Sequence, residues 1–154
     1  MRRIIDTIDV AAPMARVFDA ASRVEAWPDI LPHYRWVTIH RRRPDGAAVV
    51  EMSANRPFGP LNWPTWWTSE MWIDPDRHEV RYRHIRGVTT GMDVIWRLTP
   101  TPDGVHIDLF HDWEGPRWLP VGRGIVAAVI MRIFVHGIAW RTLAGVKGKA
   151  EGAP

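Results

Sequence analysis

Between residues 34 and 113 the chain is cut into strand-length runs by tight-turn chemistry, and this spacing constrains the fold more than any other feature. Six runs follow one another, at 34–43, 47–56, 65–74, 79–85, 93–99 and 105–113. Pro44-Asp45-Gly46, Asp74-Pro75-Asp76 and Pro102-Asp103-Gly104 leave room for a turn but none for a crossover. Parallel neighbours need a connection of a dozen residues or more, so the runs predict an antiparallel meander.

Parity within the runs shows which side is buried. Val94, Trp96 and Leu98 alternate with Asp93, Arg97 and Thr99, and Val105, Ile107, Leu109, His111 and Trp113 alternate with His106, Asp108 and Asp112. A strand alternates its side chains between faces, so one face is apolar and the other solvated. Arg81 and Arg83 fall on the solvated side, and Tyr82 and His84 on the apolar one. Arg41, Arg42 and Arg43 precede a turn and read as the solvated end of a hairpin strand.

A sheet with one apolar face needs a cover. Residues 2–10 read as a further strand, and Ala12-Pro13 opens a helix carrying Val17, Phe18 and Ala21. A second short helix follows, with Ser22 and Glu25 at capping-box spacing and Pro28 and Pro32 limiting its length. The cover comes last, as a helix from about residue 123 to 150, about 40 Å long. Its expected inward stripe is Val126, Ile130, Ile133, Gly137, Trp140 and Ala144, with Arg132, Ala139 and Thr142 opposite. The Gly- and Lys-rich residues 145–154 are expected to fray, and a single domain over 1–150 with a tail at 151–154 is the expected organisation.

The order of elements and the local wording both carry a resemblance. Val10-Ala11-Ala12-Pro13 with Val17-Phe18-Asp19 and Val24-Glu25-Ala26-Trp27-Pro28 with Leu31-Pro32 and Tyr34-Arg35-Trp36-Val37 are similar to the opening of the START-like helix-grip superfamily. Gly91-Met92-Asp93-Val94-Ile95-Trp96-Arg97-Leu98, the Asp103-Gly104 turn, and Ile138-Ala139-Trp140-Arg141-Thr142-Leu143 with Lys147 and Glu151 resemble its polyketide cyclase/dehydrase branch. The resemblance implies an α+β fold in which a curved antiparallel sheet of about seven strands wraps a long C-terminal helix, with two short helices after the first strand. It also implies a cavity between sheet and helix for an apolar or aromatic molecule. Some members cyclise or dehydrate polyketide chains and others carry lipids or quinones; the motifs fix turns and core, and none transfers a catalytic residue.

Composition narrows the chemistry. The chain has 154 residues, 46% hydrophobic and 24% charged, enough for a full core. With no cysteine, disulfides and thiolate chemistry are excluded and a reducing cytoplasm fits. The opening residues predict no export signal, and the apolar stretch 125–131 is broken by Arg132 and His136 before it reaches a membrane span, so a buried helix is expected. A net charge of +3 spread among 17 acidic residues argues against nucleic-acid binding. No phosphate loop, His-Glu-x-x-His or nucleophile-elbow motif is found, and parity separates His106 and Asp108 from His111, so no metal or cofactor is expected.

Ten tryptophans, against an average expectation of about two, predict an aromatic-lined hollow or an unusually Trp-rich core. Trp96, Trp113 and Trp140 fall on expected inward positions. Residues 57–67 combine Pro57, Gly59, Pro60 and Pro64 with Phe58, Leu61, Trp63, Trp66 and Trp67, which predicts an irregular apolar loop acting as a lid, a membrane contact or a dimer contact. Arg117 and Trp118 are placed on an opposing rim.

The expected ligand-binding set is Trp63, Trp66, Trp67, Met92, Trp96, Trp113, Arg117, Trp118, Ile130, Ile133, Phe134 and Trp140. Tyr82, His84 and His111 are the candidate acid–base and polarising groups, since aldol chemistry needs a proton acceptor and a donor to a ketone oxygen. The functional expectation is binding of a hydrophobic small molecule (polyketide, lipid or quinone), with cyclisation and dehydration as one alternative and non-catalytic carriage as the other. A monomer or homodimer, with transient membrane contact, completes the expectation.

Overall fold

The computed structural model describes residues 2–152. Strand β1 (Arg2–Val10) leads into helix α1 (Met14–Ser22), a 3-10 turn (Val24–Ala26) and the one-turn helix α2 (Trp27–Ile30). Six strands follow: β2 (Tyr34–Arg42), β3 (Ala48–Phe58), β4 (Leu61–Asp74), β5 (Glu79–Gly87), β6 (Asp93–Thr101) and β7 (Gly104–Trp113). The chain ends in α3 (Arg123–Ile130), a π-helical turn (Met131–Val135) and α4 (His136–Glu151), which form one continuous helix.

The strands make one antiparallel sheet in the order β1-β7-β6-β5-β4-β3-β2. The meander is therefore the one the turns dictate, closed at one edge when β1 pairs with β7 from Arg2 opposite Trp113 to Val10 opposite Val105. Helix α4 packs on β1 at one edge and on β3 near the other, so the sheet curls around it. Parity holds across β5 to β7: Tyr82, Val94, Trp96, Leu98, Ile107 and Leu109 are buried, while Arg81 and Arg83 pair on the outer face with Glu79 and Asp93. His106 lies on that outer face, between Asp9 and Asp108.

The segment 57–67 is not an irregular loop. It belongs to a β3–β4 hairpin paired without interruption from Ala48 opposite Met71 to Phe58 opposite Leu61. Pairing of β4 with β5 stops at Trp67 opposite Gly87, and pairing of β2 with β3 stops at Tyr34 opposite Ala54. Asn55 N still donates outward to His33 O at 2.7 Å, and beyond it residues 56–65 form a two-stranded arm with no outer strand neighbour. Pro57 sits opposite Asn62 and Pro64 opposite Asn55, the same alternate class of pair. A proline whose missing donor faces a free edge costs the ladder nothing, which is why prolines are tolerated there.

Three further expectations are corrected. Ser22 ends α1 and donates its hydroxyl to Phe18 O at 2.6 Å, so it caps nothing downstream; Arg23 stands at the next helix start without a side-chain cap. Residues 145–151 do not fray: Val146 and Ala150 are buried, and Glu151 accepts from Ala11 N at 2.7 Å and from Lys147 Nζ at 2.6 Å. Residues 153 and 154 of the expected tail lie outside the described residues.

The inward face of the long helix also differs. Ala127, Met131, Ile138, Ala139, Thr142, Leu143 and Val146 are buried, whereas Ile133, Trp140 and Ala144 are exposed. In the π turn the His136 N–H reaches back five residues to Met131 O. The expected stripe is already one residue out of register before this turn, where Ala127 and Met131 are more deeply buried than Val126 and Ile130, and the extra residue shifts the face that follows by about a further 100°. The helix is buried along one side only; its most apolar 18-residue window is 28% buried.

Candidate functional site

Between the inner sheet face and the helix lies a cavity of about 390 Å³. The sheet contributes Met52, Trp67, Tyr82, His84, Val94, Trp96, Leu109 and His111, and the turn after β5 adds Val88, Thr89 and Met92. Trp63, Pro64, Thr65 and Trp66 close it from the arm, and Trp27 and Tyr34 from the region of α2. The helix supplies Ile130, Phe134, Val135, Ile138, Ala139 and Thr142.

Cross-strand register brings the polar candidates together. Tyr82 is opposite Val94, and Val94 opposite His111, so the three form a row across β5, β6 and β7. His84 is one inward position further along β5, anchored by its N–H to Met92 O at 2.9 Å. Its ring stacks on Trp67, centroids 5.7 Å apart and planes 10° from parallel. His84 Nδ1 and the Thr89 hydroxyl share a hydrogen bond of 2.6 Å, which leaves Nε2 without a protein partner among the described residues.

Burial controls the charge of this row. Desolvation, reinforced by His111, holds the His84 imidazole down at about 3, and desolvation against the opposing pull of Asp112 holds His111 at about 4. Both are neutral at pH 7. Burial raises the Tyr82 phenol well above its ordinary value, so it keeps its proton. Tyr82 Oη and His111 Nδ1 are buried and have no hydrogen-bond partner among the described residues. Unpartnered buried polar atoms are uncommon in folded proteins, and two of them beside one cavity mark it as a place where polar satisfaction is incomplete.

A second polar group faces the cavity from the helix. The Thr142 hydroxyl donates to Ile138 O at 2.9 Å and shares a hydrogen bond of 3.0 Å with His33 Nε2. His33 is held at about 4 by burial and by nearby Arg141. Trp27 is oriented by its indole N–H, which donates to Ala20 O at 3.0 Å, and by edge contact with Tyr34.

Of the residues expected at the site, Tyr82, His84, His111, Trp63, Trp66, Trp67, Met92, Trp96, Ile130 and Phe134 lie on the cavity wall. Trp113, Arg117, Trp118, Ile133 and Trp140 do not. Trp113 is buried in the core, its indole N–H given to Thr90 O at 3.1 Å, because strand β7 carries it past the end of the cavity. Arg117 and Trp118 stand exposed in the segment between β7 and α3, and Ile133 and Trp140 are turned outward by the helix phase. Sequence reasoning missed Trp27, Tyr34, Met52, Ile138, Ala139 and Thr142. Parity on β3 marks Met52, buried with Val50 and Ala54, and the helix residues required the π turn to be known.

The arm closes on the helix through aromatic rings: Phe58 and Trp63 both meet Phe134 edge-on, at 5.9 and 6.1 Å. Arg56 lies over Phe58 and donates to Ile133 O at 2.6 Å.

A curled antiparallel sheet gripping one long helix around an apolar hollow defines the helix-grip class of START-like proteins. Within that class the chain belongs to the polyketide cyclase / dehydrase and lipid transport family, whose model matches residues 10–134. It is similar to a putative polyketide cyclase of Streptomyces cyaneus, 26% identical over 126 residues and 81% of each chain. It is also similar to the actinorhodin polyketide synthase bifunctional cyclase/dehydratase of Streptomyces coelicolor, 28% identical over 113 residues; the match takes in 72% of this chain but 34% of that protein. In fold it resembles the Zhui aromatase/cyclase from Streptomyces sp. R1128, with a TM-score of 0.74, 24% identity, and coverage of 97% and 93% of the two chains.

Proposed function

We propose that the cavity binds an aromatic or polyketide-like molecule and that Tyr82, His84 and His111 make its polar contacts. One observation carries the reading: Tyr82 and His111 stand in one cross-strand row on the cavity wall, each with a buried polar atom that no group among the described residues satisfies. The rest of the wall is apolar and aromatic, the pattern of a small-molecule site in which a few polar groups fix orientation. Ligand contact extends to Trp63, Trp66, Trp67, Met92, Trp96, Ile130 and Phe134.

Cyclisation fits these groups. A methylene between two ketones loses a proton, its carbon bonds to a second ketone carbon, and that oxygen takes up a proton to become an alcohol. Loss of the second methylene proton then forms the double bond and expels the alcohol oxygen, with one further proton, as water. A phenol that keeps its proton donates to the enolate oxygen, and a neutral imidazole accepts the carbon-bound proton. The family relatives named as cyclases support this reading. The lack of cysteine is compatible with a reducing cytoplasm.

The low basicity of both imidazoles favours carriage as a second reading, since a base held near 3 or 4 captures a proton weakly. One experiment separates the two. Binding of a hydroxyanthraquinone is followed by tryptophan fluorescence, and turnover of a linear poly-β-ketone thioester mimic by product analysis. In the Tyr82→Phe, His84→Phe, His111→Leu triple variant, the cyclase reading expects binding within about threefold of wild type and turnover lost by a factor on the order of 100 or more. Equal product from both proteins leaves carriage; absence of binding by wild type removes both.

A further inference from the structure

We infer that the rim of the cavity mouth is a docking surface for an anionic lipid bilayer. This does not depend on whether the cavity catalyses, since it rests on the outer surface alone.

The helix that closes the cavity is apolar on the side that faces away from it. Its 18-residue window of mean hydropathy 1.5 is only 28% buried. Ile125, Val129 and Ile133 recur every four residues and all stay exposed, Ile125 at 72%, with Val121 at 82% just before the helix. They run beside Ile130 and Phe134, which face the cavity from the same helix. On the facing arm Leu61 is 72% and Trp63 59% exposed, and the turn after β5 adds exposed Val88. A soluble surface rarely exposes so many large apolar side chains on neighbouring elements without a partner.

Charge identifies the partner. The arm at residues 56–65, the turn at 86–92 and the stretch 115–134 contain no Asp or Glu, the nearest in sequence being Asp93 and Glu114 just outside them. Arg86, Arg117, Arg123 and Arg132 belong to them and enter no ion pair among the described residues. The outer sheet face, by contrast, pairs Arg81 and Arg97 with Glu79 and Arg83 with Asp93. A cationic, carboxylate-free rim around apolar protrusions complements anionic headgroups over hydrocarbon.

The shape favours a bilayer over a folded acidic protein. The apolar side chains sit on three separate protrusions (arm, β5–β6 turn and α3) around an opening, and a fluid apolar phase meets all three at once. Tryptophan at such a boundary puts its ring in the interface and its N–H in the headgroup layer. Docked this way, the cavity opens into the membrane, and an apolar ligand enters without crossing water.

The test is co-sedimentation of the purified full chain with vesicles of phosphatidylcholine alone or with phosphatidylglycerol at about three parts in ten. Wild type is expected to partition at least about tenfold more strongly onto the anionic vesicles, and less strongly as salt is raised. Leu61→Ser with Ile125→Ser, both outside the cavity wall and exposed, is expected to lose at least about tenfold in partitioning. Arg132→Glu is expected to lose the preference for anionic vesicles and serves if the double variant melts early. Wild type that stays in the supernatant with both vesicles overturns the inference, as does a folded double variant that partitions like wild type. Binding of an acidic carrier protein, or a dimer broken by the double variant, with vesicles unbound, overturns it in favour of a protein interface. Hydroxyanthraquinone binding without vesicles is read in parallel, so loss of docking is distinguishable from loss of the cavity reading.

Discussion

Arg56 and Gly137 touch where the arm meets the helix: a β-carbon on Gly137 would collide with the Arg56 guanidinium at Nε. The guanidinium occupies the space a side chain would fill, and from there it donates to Ile133 O. The helix gives up propensity at this point to admit the arm.

A double-mutant cycle measures that trade. Alanine normally stabilises a helix interior over glycine by about 1 kcal/mol. Gly137→Ala is expected to gain less than that in this protein, because the half-exposed arginine must swing aside and give up its bond to Ile133 O. In an Arg56→Ala background the same substitution is expected to stabilise. Urea unfolding of the four proteins checks it; a gain from Gly137→Ala as large in the wild type as in the Arg56→Ala background would contradict the contact.

Beyond its own ladder the arm is held by the Asn55 N–H bond to His33 O at its base, the Arg56 bond to Ile133 O and the rings of Phe58 and Trp63 against Phe134. Arg56→Ala with Phe134→Ala is expected to speed amide exchange in residues 56–65 by about tenfold or more, while β6 and β7 keep their protection. Uniform acceleration across all strands would show that the arm does not open separately.

Stability is expected to fall as the pH is lowered from 7 toward 4. His84 and His111 take up protons near 6.5 when unfolded but only at about 3 and about 4 when folded, so the unfolded state binds more protons across that window. Each such histidine removes up to about 1.4 kcal/mol per pH unit. Carboxylates held low by arginines, such as Asp112 and Glu79, add their own loss at the acid end. Denaturation midpoints of wild type and the His84→Phe, His111→Leu variant, compared at pH 7, 5.5 and 4.5, isolate the share of these two histidines, with buried His33 left in both proteins. The variant is expected to show a shallower decline, and parallel declines would place the two rings in contact with water.

Much of this protein is determined by local rules acting within a few residues. Asp-Gly and Pro-Asp turns, strand parity and the lack of room for crossovers dictate an antiparallel meander, and they place Tyr82, His84 and His111 on the face the helix covers. What local rules do not reach was settled by tertiary contact. Pro57 and Pro64 look like strand breakers until pairing leaves residues 56–65 with free edges, where their missing donors cost nothing. Beyond residue 135 the helix phase depends on one wide turn at residues 131–135, whose extra residue turns Ala139 and Thr142 inward and Trp140 outward. Which tryptophans reach the cavity therefore follows from how the arm and the helix close on each other. That is a matter of packing between segments some 70 residues apart, set by the Arg56 contact with Ile133, which are 77 positions apart.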